Sequence, residues 1–193
     1  MDSVFKKVMF VLAAVCLTLA CAAGAVLAQQ FKQGSTYAEA RGGVYGTTNE
    51  NVNVIATYGG AFGYYALNNV AIEAEGLGYY VDQNKVTTTK AGESKKDDQA
   101  SGGGVNVIAK WHMVATPLAS MYVGAGGGGV WTDKNIAYNG DKNNWTGLAE
   151  MGMTVSLSNS VNLRAAGRYQ HIGAFADTGV NALGGNLGLM FSF

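Results

Sequence analysis

The sequence predicts an all-β fold, an eight-stranded antiparallel up-and-down transmembrane β-barrel. Three observations predict it. Apolar and polar residues alternate with a period of two in eight stretches, as in strands whose two faces meet different surroundings. No apolar run after residue 28 is long enough for a membrane helix. The connections alternate between short turns and mostly longer polar segments, as they do in membrane barrels.

The composition favours a β-structure that faces something other than water. Charged residues make up 13% of the 193 residues, about half of the roughly 25% that is usual in soluble proteins. The chain also has 28 glycines, 10 tyrosines and a single proline, Pro117. A protein with so few charges and so many aromatic residues is suited to a lipid environment.

Residues 1–28 are interpreted as a cleaved signal peptide, and residues 29–193 as one outer-membrane β-barrel domain. Lys6 and Lys7 precede a long apolar run, and Val26 and Ala28 occupy the positions that a signal peptidase reads. Two alternatives stay open. The apolar run could be a transmembrane anchor, or Cys21 could carry a lipid, although its preceding residues match the lipidation pattern poorly.

The predicted mature chain contains no cysteine, because Cys16 and Cys21 both lie in the leader. Disulfides, thiolate nucleophiles and cysteine-ligated metals are therefore excluded for it. Removing the leader leaves 11 basic and 12 acidic residues. Such a balance argues against a nucleic-acid partner, which would need a clustered basic excess.

The alternating stretches place the strands. Strands of this length suit a tilted membrane crossing, which takes about 9–11 residues. The run 82–99 is charged and has no period, so it is interpreted as an exposed loop. The eight strands are predicted near 36–46, 52–66, 70–81, 102–114, 119–131, 145–157, 161–172 and 181–193.

The polar faces supply an independent test of the barrel. If the apolar faces point to lipid, the interior receives four acidic and four basic side chains, a balance that a closed polar core needs because a buried unpaired charge is costly. A soluble, lipocalin-like barrel would reverse the faces and place Trp111 and Phe191 inside. The charged residues predicted inside are Glu39, Arg41, Glu73, Glu75, Lys110, Glu150, Arg164 and Arg168, beside Asn106, His112 and Gln170.

Three short motifs are interpreted as structural. "GAGGGG" at 124–129 matches a dinucleotide-binding pattern, but no helical pattern follows it, so small residues within a strand are the better interpretation. "NWT" at 144–146 is a glycosylation sequon by letters alone. His112 is interpreted as a hydrogen-bonded histidine of the barrel interior, with no second histidine near enough in sequence to suggest a metal site.

The chain resembles the small outer-membrane β-barrel family that includes the OmpA transmembrane domain and opacity-type proteins. The resemblance rests on "YGGAFGYYALNNVAIEAEGLGYY", "YVGAGGGGVW", "LRAAGRYQHIG" and the terminal "GLMFSF", which together span most of the predicted mature chain. It implies residence in the bacterial outer membrane. It also implies that the terminal Phe193 is a signal read by the barrel-assembly machinery.

A narrower resemblance concerns "KWHM", "YVGAGGGG" and "RYQHIG" followed by "TGVN", which are similar to the lipid A 3-O-deacylase (acyloxyacyl hydrolase-like) barrels. That family carries a His-Ser-Glu triad on its lipid-facing surface. The resemblance maps the histidine to His171, the serine position to Gly173 and the acid near Asn181. Glycine cannot attack an ester, so any such activity is expected to be degenerate.

The sequence thus predicts an integral outer-membrane barrel with a polar lumen filled by side chains and a structural or surface-interaction role. Its expected partners are outer-membrane lipid and lipopolysaccharide, the barrel-assembly machinery and a possible surface ligand at the loops. We expect a monomer with no cofactor and no metal. The alternatives are a degenerate lipid A deacylase, in which His171 would be the one surviving catalytic residue, and a soluble ligand-binding barrel in the periplasm.

Overall fold

Eight antiparallel strands form a single closed sheet in the computed structural model, which describes residues 31–89, 92–116, 118–136, 141–173 and 179–193. The predicted signal peptide, 1–28, lies outside the described residues. The strands are β1 (Thr36–Thr47), β2 (Val52–Leu67), β3 (Val70–Thr89), β4 (Gly92–Ala115), β5 (Ala119–Thr132), β6 (Asn143–Ser156), β7 (Val161–Ile172) and β8 (Val180–Ser192).

The sheet closes because the last strand returns to the first. β1 pairs with β2 on one side and with β8 on the other, so that Ala38 lies opposite both Phe62 and Phe191. Each strand from β2 to β7 pairs with its two neighbours in sequence, which is the up-and-down order. The predicted fold class is therefore confirmed.

The prediction of an exposed loop at 82–99 is wrong for the backbone. Strands β3 and β4 continue through this run as a long hairpin, whose pairing extends to Thr89 and Gly92. The absence of a period misled the prediction, since strand pairing joins backbone groups and needs no alternation of side chains. The threonines and valine of the run favour extended backbone, and each added pair continues a ladder that the barrel has already begun.

The apolar faces point outward, and aromatic side chains gather near both ends of the strands. Such girdles mark the two interfaces of membrane-spanning barrels. The reversed arrangement of a soluble barrel, with Trp111 inside, is wrong, because that side chain is 55% exposed on the outer face. The exposed aromatic residues are Tyr80, Trp131, Trp145 and Tyr169 toward the loop end, Phe62, Tyr64, Trp111, Phe191 and Phe193 toward the end with the short turns, and Tyr58 between the two groups.

The interior has three layers. Charged and polar side chains fill the middle, and an apolar cluster lies at each end. The cluster toward the loops includes Tyr45, Ile55, Val130 and Ile136. The smaller cluster, toward the chain termini and the short turns, consists of Phe31, Tyr37, Tyr65, Ala71 and Met190. No described segment forms a helix long and apolar enough to cross a bilayer.

The outward face of β4 offers a test of the membrane orientation. Val107 is 59% exposed and lies midway along the barrel. We expect Val107→Arg to lower the free energy of unfolding in lipid vesicles by about 2–4 kcal/mol, because it places a cation in hydrocarbon. The control is Asn53→Arg at the loop end of β2, which should have little effect because it faces water and Asp82. Equal effects of the two substitutions would contradict the orientation.

Candidate functional site

The most highly organised polar feature is a group of eight charged side chains inside the barrel, here called the ion cluster. All eight are at most 7% exposed. They project from five of the strands, at the inward positions that the alternation predicted. The ion cluster consists of Glu39, Arg41, Glu73, Glu75, Lys110, Glu150, Arg164 and Arg168.

Glu73 lies at the centre of the ion cluster. Its Oε1 is 2.7 Å from Arg41 Nη2, and its Oε2 is 2.8 Å from Lys110 Nζ and 3.0 Å from Arg164 Nη1. The hydroxyl of Tyr37 donates a further hydrogen bond to Oε2 at 2.6 Å. One fully buried carboxylate thus serves three cations, and its removal would leave all three short of negative charge.

The remaining pairs link the rest of the cluster into one network. Glu75 accepts from both terminal nitrogens of Arg168, at 2.8 and 2.7 Å, which is a bidentate pair. Glu150 bridges Arg168, at 2.7 Å, and Lys110, at 2.8 Å. Arg41 joins this half to the other, since its Nη1 lies 2.5 Å from Glu75. Within the described residues, every charged group of the cluster has an opposite charge within hydrogen-bonding distance.

Tyrosine rings pack against the basic side chains of the ion cluster. The guanidinium of Arg164 lies over the rings of Tyr37 and Tyr122, at 4.9 and 5.2 Å from their centroids. The ammonium of Lys110 lies 5.1 Å from the centroid of Tyr122. Ring faces attract desolvated cations, so these tyrosines stabilise the basic members of the cluster where water is excluded.

Glycines on the inner face make room for the long charged side chains. A Cβ at Gly124 would come within 3.2 Å of both Lys110 and Glu150, and one at Gly188 would overlap the carboxylate of Glu39. Gly124 belongs to "GAGGGG", which lies wholly within β5 and is followed by no helix. The motif is therefore a strand with small inward positions, as the sequence interpretation had it, and forms no dinucleotide site.

His112 lies inside the barrel, where the sequence placed it. Its Nδ1 is 2.9 Å from Ser120 Oγ and its Nε2 is 3.2 Å from the hydroxyl of Tyr65. Both ring nitrogens therefore have partners, which agrees with the predicted structural role. Among the described residues, no three histidine, aspartate or glutamate side chains come close enough together to hold a metal ion.

His171 lies near the outer end of β7, directly opposite Asn181 of β8. Its Nδ1 is 2.8 Å from Asn181 Oδ1, which also accepts a hydrogen bond of 2.7 Å from the hydroxyl of Tyr169. The residues mapped to the histidine and the acid of a triad thus do meet. Gly173, at the position of the nucleophile, offers a backbone amide that donates to the carbonyl of Trp145. The arrangement positions an imidazole but supplies no hydroxyl at Gly173.

The first part of the connection between β5 and β6, residues 133–136, packs against the loop end of the barrel. The side chain of Ile136 is fully buried in the apolar cluster there. Asp133 accepts from the amide of Ser101 at 2.8 Å, and Lys134 pairs with Asp98 at 2.5 Å. That hydrogen bond raises the pKa of the Lys134 ammonium above its ordinary value. Sequence reasoning missed Ile136, because a single apolar residue in a polar loop gives no periodic signal.

Comparison with known proteins identifies the fold. No protein-family model and no curated protein matches the chain. Among solved structures, it is similar to Neisserial surface protein A, with a TM-score of 0.61, 14% identity, and coverage of 83% of this chain and 100% of that one. The outer membrane protein OprG from Pseudomonas aeruginosa is similar with a TM-score of 0.59 and 13% identity, and the match covers 84% of this chain and 97% of that one.

A third similar structure is the N-terminal β-barrel domain of OprF from Pseudomonas aeruginosa, with a TM-score of 0.54 and 20% identity. The match covers 83% of this chain and 98% of that one. The fold is that of the small outer-membrane β-barrels. The resemblance to the small outer-membrane β-barrel family, drawn from the sequence, is thereby confirmed, whereas the narrower resemblance to lipid A deacylases gains no support from these structures. Identities this low define the fold and leave the activity to be argued from this chain's own residues.

The ion cluster gives a second test. We expect Glu73→Gln to destabilise the barrel by about 3–5 kcal/mol, because it leaves buried cations uncompensated. Adding Lys110→Met to Glu73→Gln should restore part of the loss by removing one excess cation. The measurement is denaturant unfolding in detergent or lipid. Lys134→Met, at an exposed ion pair, is the control and should change little. A Glu73→Gln protein as stable as the wild type would contradict the network.

Proposed function

We propose that this protein is an integral barrel of the bacterial outer membrane whose role is structural and surface-interacting, with a lumen filled by polar side chains. The observation that carries the proposal is the combination of a closed sheet with an apolar outer face and an internally neutralised ion cluster. An eight-stranded barrel has an interior just wide enough for side chains. Since this interior is occupied, the barrel body supports anchoring better than the passage of large solutes.

The proposed partners follow from the two exposed surfaces. Lipid and lipopolysaccharide would contact the apolar band and its aromatic girdles, which is where such rings favour the interface. A surface ligand would meet the loop end, where the β3–β4 hairpin extends well past the pairing of β3 with β2. We propose a monomer, because closure already satisfies every strand edge of the barrel.

This proposal is tested by fractionation and by gel mobility with and without heating. We expect the protein in the outer-membrane fraction and a folded band that shifts on boiling, because a closed barrel resists detergent until it is heated. An unrelated periplasmic protein is the control for fractionation. Recovery of the protein in the soluble fraction without detergent would overturn the proposal.

A degenerate lipid A deacylase is the second candidate, favoured by the 2.8 Å contact between His171 and Asn181. Gly173 has no side chain with which to attack an ester, so we propose that no hydrolysis survives. Mass spectrometry of lipid A from cells with and without the protein should give the same acylation pattern. If the protein removes one acyl chain and His171→Ala abolishes this removal, the deacylase is established. If the removal persists in His171→Ala, the activity does not depend on His171.

Assembly through Phe193 is a further part of the proposal. This residue is 76% exposed, and its amide donates to the carbonyl of Thr36 at 2.9 Å, beside the closing seam. We expect Phe193→Ser to lower the amount of barrel inserted into the outer membrane several-fold, because the apolar ring that the assembly machinery would recognise is gone. Phe193→Tyr, which keeps the ring, is the matched control. Equal insertion of the wild type, Phe193→Ser and Phe193→Tyr would contradict the role of Phe193 as an assembly signal.

A further inference from the structure

The chain crosses the mouth of the barrel before β1 begins. Residues 31–35, here called the strap, form a turn at the end where β1 begins, β8 ends and the short connections lie, which is the periplasmic end in outer-membrane barrels. Phe31 is 8% exposed, whereas Lys32, Gln33 and Gly34 are exposed to solvent. One side chain of the strap therefore enters the barrel, and the rest stays outside.

Phe31 covers a polar group. Its ring centroid lies 4.4 Å from that of His112 and 5.8 Å from that of Tyr65. Beneath it, the imidazole contacts the hydroxyls of Tyr65 and Ser120, at 3.2 and 2.9 Å. The apolar ring thus separates three polar side chains from the water at this mouth, and these groups would gain hydration if the ring withdrew.

Few hydrogen bonds fasten the strap, and they run to the end of β2 and to the turn between β2 and β3. The amide of Asn69 donates to the carbonyl of Phe31 at 2.8 Å, and the amide of Gly34 donates to the carbonyl of Tyr65 at 2.9 Å. A third bond, of 3.0 Å, runs from the amide of Gln33 to Asn68 Oδ1. None of these bonds belongs to a strand pair of β1, which starts at Thr36. A fourth bond, from the amide of Tyr65 to the carbonyl of Ser35 at 3.0 Å, continues the pairing of β1 with β2 and fixes the base of the strap. Residues 31–34 can therefore be released, by breaking the first three bonds, while the closed barrel stays intact, as a local opening.

We propose that the strap is a lid on the periplasmic mouth of the barrel, with Phe31 as the plug that keeps water and small solutes away from His112 and Ser120. The ion cluster lies deeper and remains sealed on its other side by the apolar cluster that contains Ile136. Opening of the lid thus admits solutes to a blind pocket around His112 and creates no through-channel. The lid is independent of the surface role proposed above.

The experiment measures access to position 120 in the folded barrel. Ser120→Cys places a near-isosteric thiol beside His112, and its alkylation by iodoacetamide is followed by peptide mass spectrometry, so that other thiols are not counted. We expect the labelling rate to rise at least tenfold when Phe31→Ala is added. Phe62→Ala, which deletes the same ring from the outer face where Phe62 is 55% exposed, is the matched control and should leave the rate unchanged.

A second variant keeps the test decisive if Phe31→Ala fails to fold, as judged by heat-modifiable mobility. Gly34 has a φ of +91°, and a Cβ there would meet nothing within 4 Å. Gly34→Ala therefore strains the strap turn alone, and we expect a several-fold rise in labelling. Fast labelling of Ser120→Cys in the otherwise unchanged protein would overturn the lid. A labelling rate that neither Phe31→Ala nor Gly34→Ala raises would overturn it as well.

Discussion

Closure of the sheet through the β1–β8 pairing is the constraint on which the rest of the structure depends. In lipid, an open strand edge would leave backbone amides and carbonyls without partners, and each would cost several kcal/mol. Pairing that runs from Tyr37 and Ser192 at one end of the seam to Thr47 and Ala182 at the other removes that edge. Closure also divides every strand into an inward and an outward face. Each polar residue on the inward face is then enclosed and must find its partners inside.

The composition of the ion cluster follows from that enclosure. Because water is excluded, charges must balance locally, and four carboxylates meet four cations within one connected network. The apolar clusters at both ends of the lumen reduce hydration of the network, which strengthens each ion pair and makes the loss of any one charge more costly. Glycines such as Gly124 are as necessary as the charges, since a side chain there would displace Lys110 and Glu150.

Much of this was predictable from the sequence, because a period of two assigns a face to each residue without reference to the fold. The eight strands and the inward position of all eight charges follow from it. The partners within the network do not. Arg168 of β7 contacts Glu75 of β3 across the lumen, and this contact depends on barrel radius and strand stagger, which alternation does not encode. Tyr37 shares a face with Glu39 in the sequence, so its place beneath the cluster could have been inferred.

The features that were missed lack a period for physical reasons. The β3–β4 hairpin is held by backbone pairing, which needs no alternation of side chains, so its sequence gives no periodic signal. Phe31 and Ile136 are single apolar residues in polar segments, and each is buried only because a closed barrel presents a mouth of the right size. The contact of His171 with Asn181 depends on the register of β7 against β8, which local alternation does not encode.

The distribution of surfaces limits where recognition can occur. Inside the barrel, the charged side chains pair with one another, and on the outer wall the exposed residues are largely apolar and suited to lipid. Neither surface can distinguish one soluble partner from another, since the first is inaccessible and the second is buried in the bilayer. The surface interaction proposed above would therefore fall to the segments beyond the barrel wall. The hairpin is the longest of these with a described backbone, and its regular pairing to Thr89 and Gly92 gives it a defined shape on which such specificity can be built.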